Sequence, residues 1–223
     1  MSRKNKVVAL VPMRHSSERV PGKNYRDLAG RPLYAHIIST LLASGVVDQV
    51  VVDTDSPTVT EGMATAFPEV LVLERPEHLR AGEVPMNDVI LHDISQVEAD
   101  LYLQTHTTNP LLRPETVKAA VDAFRASPGH DSLFTVTALH TRLWTQDGKP
   151  MNHDPKVLLR TQDLPPVYEE NSNMYLFSGD LLRSTGSRIG NAPMLYPVEA
   201  EEAWDIDVEL DWLVVEALLA RRV

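Results

Sequence analysis

Cysteine is absent from the 223 residues, which excludes disulfides, a thiolate nucleophile and cysteine-bound zinc, and fits a reducing compartment. Glycine is scarce at 10 residues, and none forms the spaced run before a Lys-Ser or Lys-Thr pair that marks a Walker loop, nor a dinucleotide-binding fingerprint. Basic charge is also short. Lys and Arg number 21 against 31 Asp and Glu, a net charge of −10, so a broad footprint for a phosphate backbone is excluded and no nucleic acid partner is expected. No apolar stretch approaches the roughly 18 residues that span a bilayer. The polar, basic start from Met1 to Lys6 is followed only by Val7 to Val11 before Pro12, too short for a signal-peptide core. The expectation is a soluble, cytoplasmic protein with no membrane partner. The eight histidines are scattered, without His-x-x-x-His or His-Glu-x-x-His spacing, so zinc is not expected.

What remains is a globular composition, 43% apolar and 23% charged, rich enough to bury a core. The length favours a single domain over residues 1–223. Val7–Val11 is a short, continuously apolar, β-branched run, the pattern of a strand buried on both faces. After a charged loop, Pro32 opens a helix with Leu33, Ile37, Ile38, Leu41 and Leu42 on one face and Gly45 at its end. Strands at Gln49–Val52, Val70–Leu73, Leu101–Leu103 and Ser132–Ala138 then alternate with helices, the clearest at Met86–Val97 and Pro114–Ala126. This alternation predicts an α/β fold: a three-layer, Rossmann-like arrangement with a mostly parallel sheet, helices on both faces, and functional loops at the carboxyl ends of the strands. From about 140 to 167 the rhythm gives way to polar, proline-bearing sequence, too poor in apolar residues for a core and read as an inserted arm of the kind that pairs subunits. Met174–Phe177 is a further strand. Asp207 is placed to cap a last helix with Leu210, Leu213, Val214, Ala217 and Leu218 inward.

Two groups of residues carry chemistry. The loop from Pro12 to Asn24 gathers Arg14, Arg19 and Lys23 with Ser16 and Ser17 directly after a buried strand, a composition that can neutralise a polyphosphate. On charge alone it reads equally well as a solvated basic surface. Asp205 and Asp207 lie two residues apart at a helix start. A cap with a solvated neighbour is the commoner arrangement, but an extended approach could aim both carboxylates at one hard cation, Mg²⁺ rather than zinc. Asp53 and Asp55 imitate a glycosyltransferase Asp-x-Asp metal site, although Asp55 is read here as a structural anchor of its loop.

The stretch Val11-Pro12, Arg14, Ser17, Arg19, Pro21, Gly22, Lys23, Asn24 resembles the signature Pro-Ala-Arg-Gly-Gly-Ser-Lys-Arg-x-Pro-Gly-Lys-Asn of the acylneuraminate cytidylyltransferase family, the CMP-N-acetylneuraminate synthetases. Asp53-Thr54-Asp55-Ser56 is similar to the family's Ser-x-Asp-Ser turn, Arg75-Pro76 to the start of its base-binding segment, and Leu103-Gln104 with Thr108-Asn109-Pro110-Leu111 to its Leu-Gln-Pro-Thr-Ser-Pro-Leu. Asn171-Ser172-Asn173-Met174-Tyr175 resembles Asn-Gly-x-x-Tyr, and Asp205-Ile206-Asp207 resembles Asp-Ile-Asp. The departures are Met13, His15 and Ser16 in place of Ala-Gly-Gly, Glu18 in place of a lysine, and an insertion between Gln104 and Asn109.

The resemblance implies transfer of CMP from CTP to the anomeric hydroxyl of a sialic-acid-like sugar acid, with pyrophosphate released, Mg²⁺ as cofactor, and a homodimer. It implies Arg14 and Lys23 on the phosphates with Ser17 and Arg19 in support, Asn24 and Arg75 at the cytosine aided by backbone near Val84–Met86, Gln104, Asn171 and Asn173 at the sugar, and Asp205 and Asp207 on the metal and in catalysis. With the loop glycines replaced, His15 and Ser16 are expected to hold phosphate by their side chains. Arg142 and Arg160 in the arm are candidates for the sugar carboxylate. Related acids such as 3-deoxy-octulosonate, legionaminate or pseudaminate, and a nucleotide-binding module without catalysis, stay open as alternatives.

Overall fold

Strand β1 (Val7–Met13) is buried at every position, and its alternate residues feed two different cores. Val7, Ala9 and Val11 pack on one face with Ile37, Ile38 and Leu41 of helix α1 (Leu33–Ala43), and Val8 and Leu10 pack on the other with Ile90 and Ile94 of α3 (Met86–Gln96). A strand covered on both faces must be apolar throughout, which is the pattern in the sequence. The structure, a computed structural model, describes residues 5–222; Met1–Lys4 of the basic start lie outside the described residues.

A two-residue ribbon, β2 (Asp27–Leu28) with β3 (Arg31–Pro32), precedes α1. Then follow β4 (Gln49–Thr54), α2 (Pro57–Ala66), β5 (Leu71–Glu74), α3, β6 (Leu101–Gln104), α4 (Pro114–Arg125), β7 (Ser132–Leu139), β8 (Val167–Phe177), α5 (Gly179–Thr185), β9 (Pro193–Pro197) and α6 (Glu209–Leu219). The main sheet has the order β5-β4-β1-β6-β8-β7-β9, with β8 antiparallel to both neighbours and the other pairs parallel. Helices α1, α2 and α4 contribute to the first core and α3 and α5 to the second, giving the three layers expected.

Besides the β2–β3 ribbon, helix α5 and strand β9 have no counterpart in the sequence pattern. Helix α5 starts where the Ser178 hydroxyl accepts from the Leu181 N–H and stops at Gly186, φ 70°, a short cap-to-cap unit. β9 carries proline at both ends and occupies the sheet edge, where a missing N–H costs no ladder bond.

The last helix differs from its expectation in two respects. Trp212 and Val215 face inward while Leu210 and Leu213 are exposed, because the apolar residues of the helix are spread round it and the cluster of Val20, Leu28, Leu33 and Ile206 takes Trp212 and Val215; Arg26 lies over the Trp212 ring and pairs with Glu209 at 2.7 Å. Its first turn is closed by Asp211, whose carboxylate accepts from the N–H groups of Asp207 and Val208, so Asp207 is not the cap. The arm is the extended tip of the β7–β8 hairpin, which pairs out to Leu139 and Val167.

Candidate active site

Four parallel strands end on one rim, releasing the first loop after β1, Asp55–Ser56 after β4, Arg75 after β5 and Thr105–Pro110 after β6. A cleft of about 480 Å³ opens there, walled by Arg14, Ser17, Arg19 and Lys23 from the loop, Arg75 from across the sheet and Thr108 from the β6 side.

The first loop is tied down by side chains. Asp55 accepts the His15 N–H at 2.7 Å, the anchoring read from sequence. The His15 ring bonds the Ser56 hydroxyl at 2.8 Å and stacks on Tyr25, so it points away from the cleft and does not take over the lost glycine's role there; Ser16 does line the cleft. Asn24 does line the cleft, and its amide donates to the Arg14 carbonyl at 2.7 Å and accepts from the Thr107 hydroxyl at 2.6 Å. It braces the loop against the β6 side. Gly22 needs to be glycine, since its φ is 64° and a Cβ would meet the Tyr25 ring at 2.8 Å. Glu18 lines the cleft with the cations. Across from it, Gly82 leaves room for Arg14: a Cβ there would stand 2.9 Å from a guanidinium nitrogen.

The late acids reach this loop through packing. Val20 of the first loop and Ile206 between the two aspartates are both fully buried in one small apolar cluster with Leu28, Leu33, Trp212 and Val215. Burying an aliphatic side chain contributes about 1.5–3 kcal/mol, so this cluster joins segments almost two hundred residues apart. Because side chains alternate along an extended segment, sinking Ile206 leaves Asp205 and Asp207 together on the opposite side. Arg19 donates to Asp207 at 2.7 Å, and Lys23 donates to the Ile206 carbonyl at 2.7 Å with its ammonium 3.9 Å from Asp207. The Arg19–Asp207 pair is solvent-exposed and contributes under about 1 kcal/mol; its importance is where it puts charge. Burial lowers the Lys23 pKa, opposed by Asp205 and Asp207.

Asp205 is the more enclosed of the two acids. Burial raises its pKa, with the Asp207 charge adding to the rise, and its Oδ1 has no hydrogen-bond partner. An orphaned carboxylate oxygen beside a second carboxylate is the donor set a hard divalent cation takes, so these residues fit Mg²⁺. The other acid cluster among the described residues, Asp53, His92 and Asp93, already carries the Arg75 guanidinium on Asp53.

A second cavity of about 460 Å³ is lined by Asp205 together with Glu169, Glu170, Asn171, Ser172 and Trp204. Asn171 and Ser172 stand in it because β8 bulges: Phe134 pairs with Tyr175 but Val136 pairs with Glu170, leaving four β8 residues beside Thr135. Ser172 sits at φ 58° where the resembling motif has glycine. Asn173 lines neither cavity. It is wholly buried and donates to the Glu202 carbonyl at 2.8 Å, tying β8 to the segment before Asp205. Gln104 is also fully buried, bonded to the Thr105 carbonyl and to His106, and it is His106 that meets the cleft. Burial, helped by Arg188 and Lys23, pulls the His106 pKa down to about 4, so the ring is neutral near pH 7. The arm's cations are spent internally, Arg142 on the Leu159 carbonyl and Arg160 on Asp163 at 2.7 Å.

Sequence reasoning missed Gly82, His106, Thr108 and the acidic second cavity. The Asn24-to-Thr108 distance along the chain hides their proximity, and a lone loop glycine such as Gly82 carries no local signal.

Residues 8–213 match the family model described as Cytidylyltransferase. N-acylneuraminate cytidylyltransferase A of Danio rerio is 29% identical over 96% of the chain, which spans 51% of that relative's length. CMP-N,N'-diacetyllegionaminic acid synthase of Legionella pneumophila is 28% identical over 96% of both chains. Among solved structures, a CMP:2-keto-3-deoxy-manno-octonic acid synthetase complexed with CTP superimposes with a TM-score of 0.71 at 19% identity, covering 98% of the chain and 100% of that structure, a likeness of fold.

Proposed function

The chain belongs to the cytidylyltransferase family, and on that premise we propose that it transfers CMP from CTP to the anomeric hydroxyl of a sialic-acid-like sugar acid, releasing pyrophosphate. The observation that carries the reading is the meeting of Arg19 and Lys23, which line the first cleft, with Asp207, two residues from the Asp205 that lines the second cavity. One cavity has the cations a triphosphate needs, and the other has the hydrogen-bond acceptors a polyol needs.

Arg14 and Lys23 bind α- and β-phosphate oxygens, with Ser17 and Arg19 in support. Arg75 and the wall at Gly82–Met86 border the base end. Asp205 and Asp207 would hold Mg²⁺, which supplies positive charge to the phosphate oxygens as negative charge builds there. Asp205, in the lining of the second cavity and two residues from the Asp207 that pairs with Arg19, faces the acceptor, and Asn171 orients it. The neutral His106 adds no charge to the nucleotide cleft. Relatives acting on N-acylneuraminate and on diacetyllegionaminate support a nine-carbon acid as acceptor. The exposed arm residues Trp144, Met151, Leu158 and Leu159 support a homodimer through the arm. A cysteine-free chain fits work in the cytoplasm.

Pyrophosphate release tests the reading, with CTP, Mg²⁺ and a panel of N-acetylneuraminate, legionaminate, pseudaminate and 3-deoxy-octulosonate. Turnover of at least one acid is expected, and silence across the panel contradicts it. Glu18 favours a second reading, a nucleotide-binding module without turnover, because its carboxylate lines the phosphate cleft. Calorimetric CTP binding in excess Mg²⁺, with no turnover of any acid, would select it.

A further inference from the structure

At the cleft wall, Arg75 is backed by two buried carboxylates that the proposed chemistry does not use. Asp53 at the end of β4 and Asp93 on α3 are completely buried, and Arg75 is 2% exposed. Arg75 donates through Nε to Asp53 Oδ1 and through Nη2 to the Asp53 carbonyl at 3.4 Å, while its own carbonyl is held by Arg80 at 2.8 Å. Asp53 Oδ2 and both carboxylate oxygens of Asp93 have no hydrogen-bond partner. Three unpartnered acceptors in a dry interior are costly. A single proton removes most of that cost, because a neutral Asp93 donates to Asp53 and the trio of Asp53, Asp93 and Arg75 then carries no net charge.

We propose that Asp93 is a positioning residue for the nucleotide: as the neutral acid it donates to Asp53, and the two together fix the Arg75 guanidinium in the cleft wall. The ligand's identity rests on the cytidylyltransfer reading; the shared proton does not. Burial, with the Asp53 charge beside it, pushes the Asp93 pKa up to about 9, against the pull of Arg75. The groups facing Asp93 are Asp53 from β4, Arg75 from beyond β5 and His92 from its own helix. β1, also packed on α3, has no titratable side chain, and the charged residues of α5, Asp180 and Arg183, pair with each other at the surface. Asp53, Asp93 and His92 would suit a divalent cation by type, but the guanidinium already on Asp53 opposes one.

The test compares wild type, Asp93→Asn and Asp93→Leu by CTP kinetics and by thermal melting across pH. Asn keeps a donor toward Asp53 and cannot ionise. Its KM for CTP near pH 7 is expected within about threefold of wild type, whereas Leu, which strands Asp53, raises KM roughly tenfold or more with a smaller change in kcat. Between pH 8 and 10 the wild-type KM climbs as Asp93 ionises, and that of Asp93→Asn does not. Melting gives an independent reading. A carboxyl that is protonated in the folded state and ionised in the unfolded chain makes unfolding release a proton, so wild type loses melting temperature relative to Asp93→Asn as pH rises from about 5 to 9. A pH-independent difference in melting temperature overturns the shared proton, and parallel KM profiles for wild type and Asp93→Asn overturn the positioning role. Mg²⁺ or Zn²⁺ that raises the wild-type melting temperature but not that of Asp93→Asn overturns both in favour of a metal. Wild type that neither binds nor turns over CTP defeats the cytidylyltransfer reading and Arg75's role with it, while the melting slope still decides the proton.

Discussion

The nucleotide cleft and the cavity lined by Asp205 are built in opposite ways. The nucleotide cleft takes Arg14, Arg19 and Lys23 from one loop that leaves a buried strand, with Arg75 added from beyond β5, whereas the second cavity is assembled from a bulge in β8, the segment before Asp205 and the start of α6, and its charged lining is acidic. A loop at the carboxyl end of a parallel strand can be re-equipped residue by residue while the sheet beneath stays fixed. A cavity made by a bulge depends on backbone conformation, and its contents change with strand register. The contrast assigns charge neutralisation to the first cavity and acceptor shape to the second.

The variants expected to do most damage act at the two late acids. Asp205→Asn or Asp207→Asn should lower kcat/KM on the order of 100-fold or more by removing a cation ligand, and calorimetry without Mg²⁺ should show CTP binding unchanged or tighter, since a negative charge has gone. Lys23→Met comes next, with roughly 10–100-fold loss of CTP affinity and unchanged acceptor KM at saturating CTP. The converse is Asn171→Ala, for which the acceptor KM should rise about tenfold while CTP binding holds; equal effects on both substrates would erase the distinction between the cavities. Glu18→Gln should lower the CTP KM by about two- to fivefold in low salt, fading at high ionic strength. The smallest effect is on stability: Ser172→Gly relieves a left-handed serine and should add about 0.5–1 kcal/mol, read as a higher melting temperature.

The same contrast explains what the sequence made legible. β1 was readable because burial on both faces demands an unbroken apolar run, and the first loop because its cations follow that run directly. The pairing of Asp205 with Asp207 was visible as spacing, but their approach to Lys23 depends on Val20 and Ile206 sharing a core, which no local pattern announces. The rotation of α6 has no local signature because apolar residues surround it, and its inward face is chosen by the cluster of Val20, Leu28, Leu33 and Ile206 that takes Trp212 and Val215. Asn24, Gln104 and Asn173 were visible as motif members, yet their amides are engaged in bracing the backbone or sunk below the cavities. An amide's partner, unlike its identity, is a tertiary fact.

The central claim is that one nucleotide joins the early cations to the late acids. A crystal structure with CTP and Mg²⁺ bound tests it most directly. The account predicts a cation on Asp205 and Asp207 that also touches a phosphate oxygen, with Arg14 and Lys23 on the same triphosphate. A triphosphate lying against Arg14 and Lys23 with its cation remote from both aspartates would contradict it.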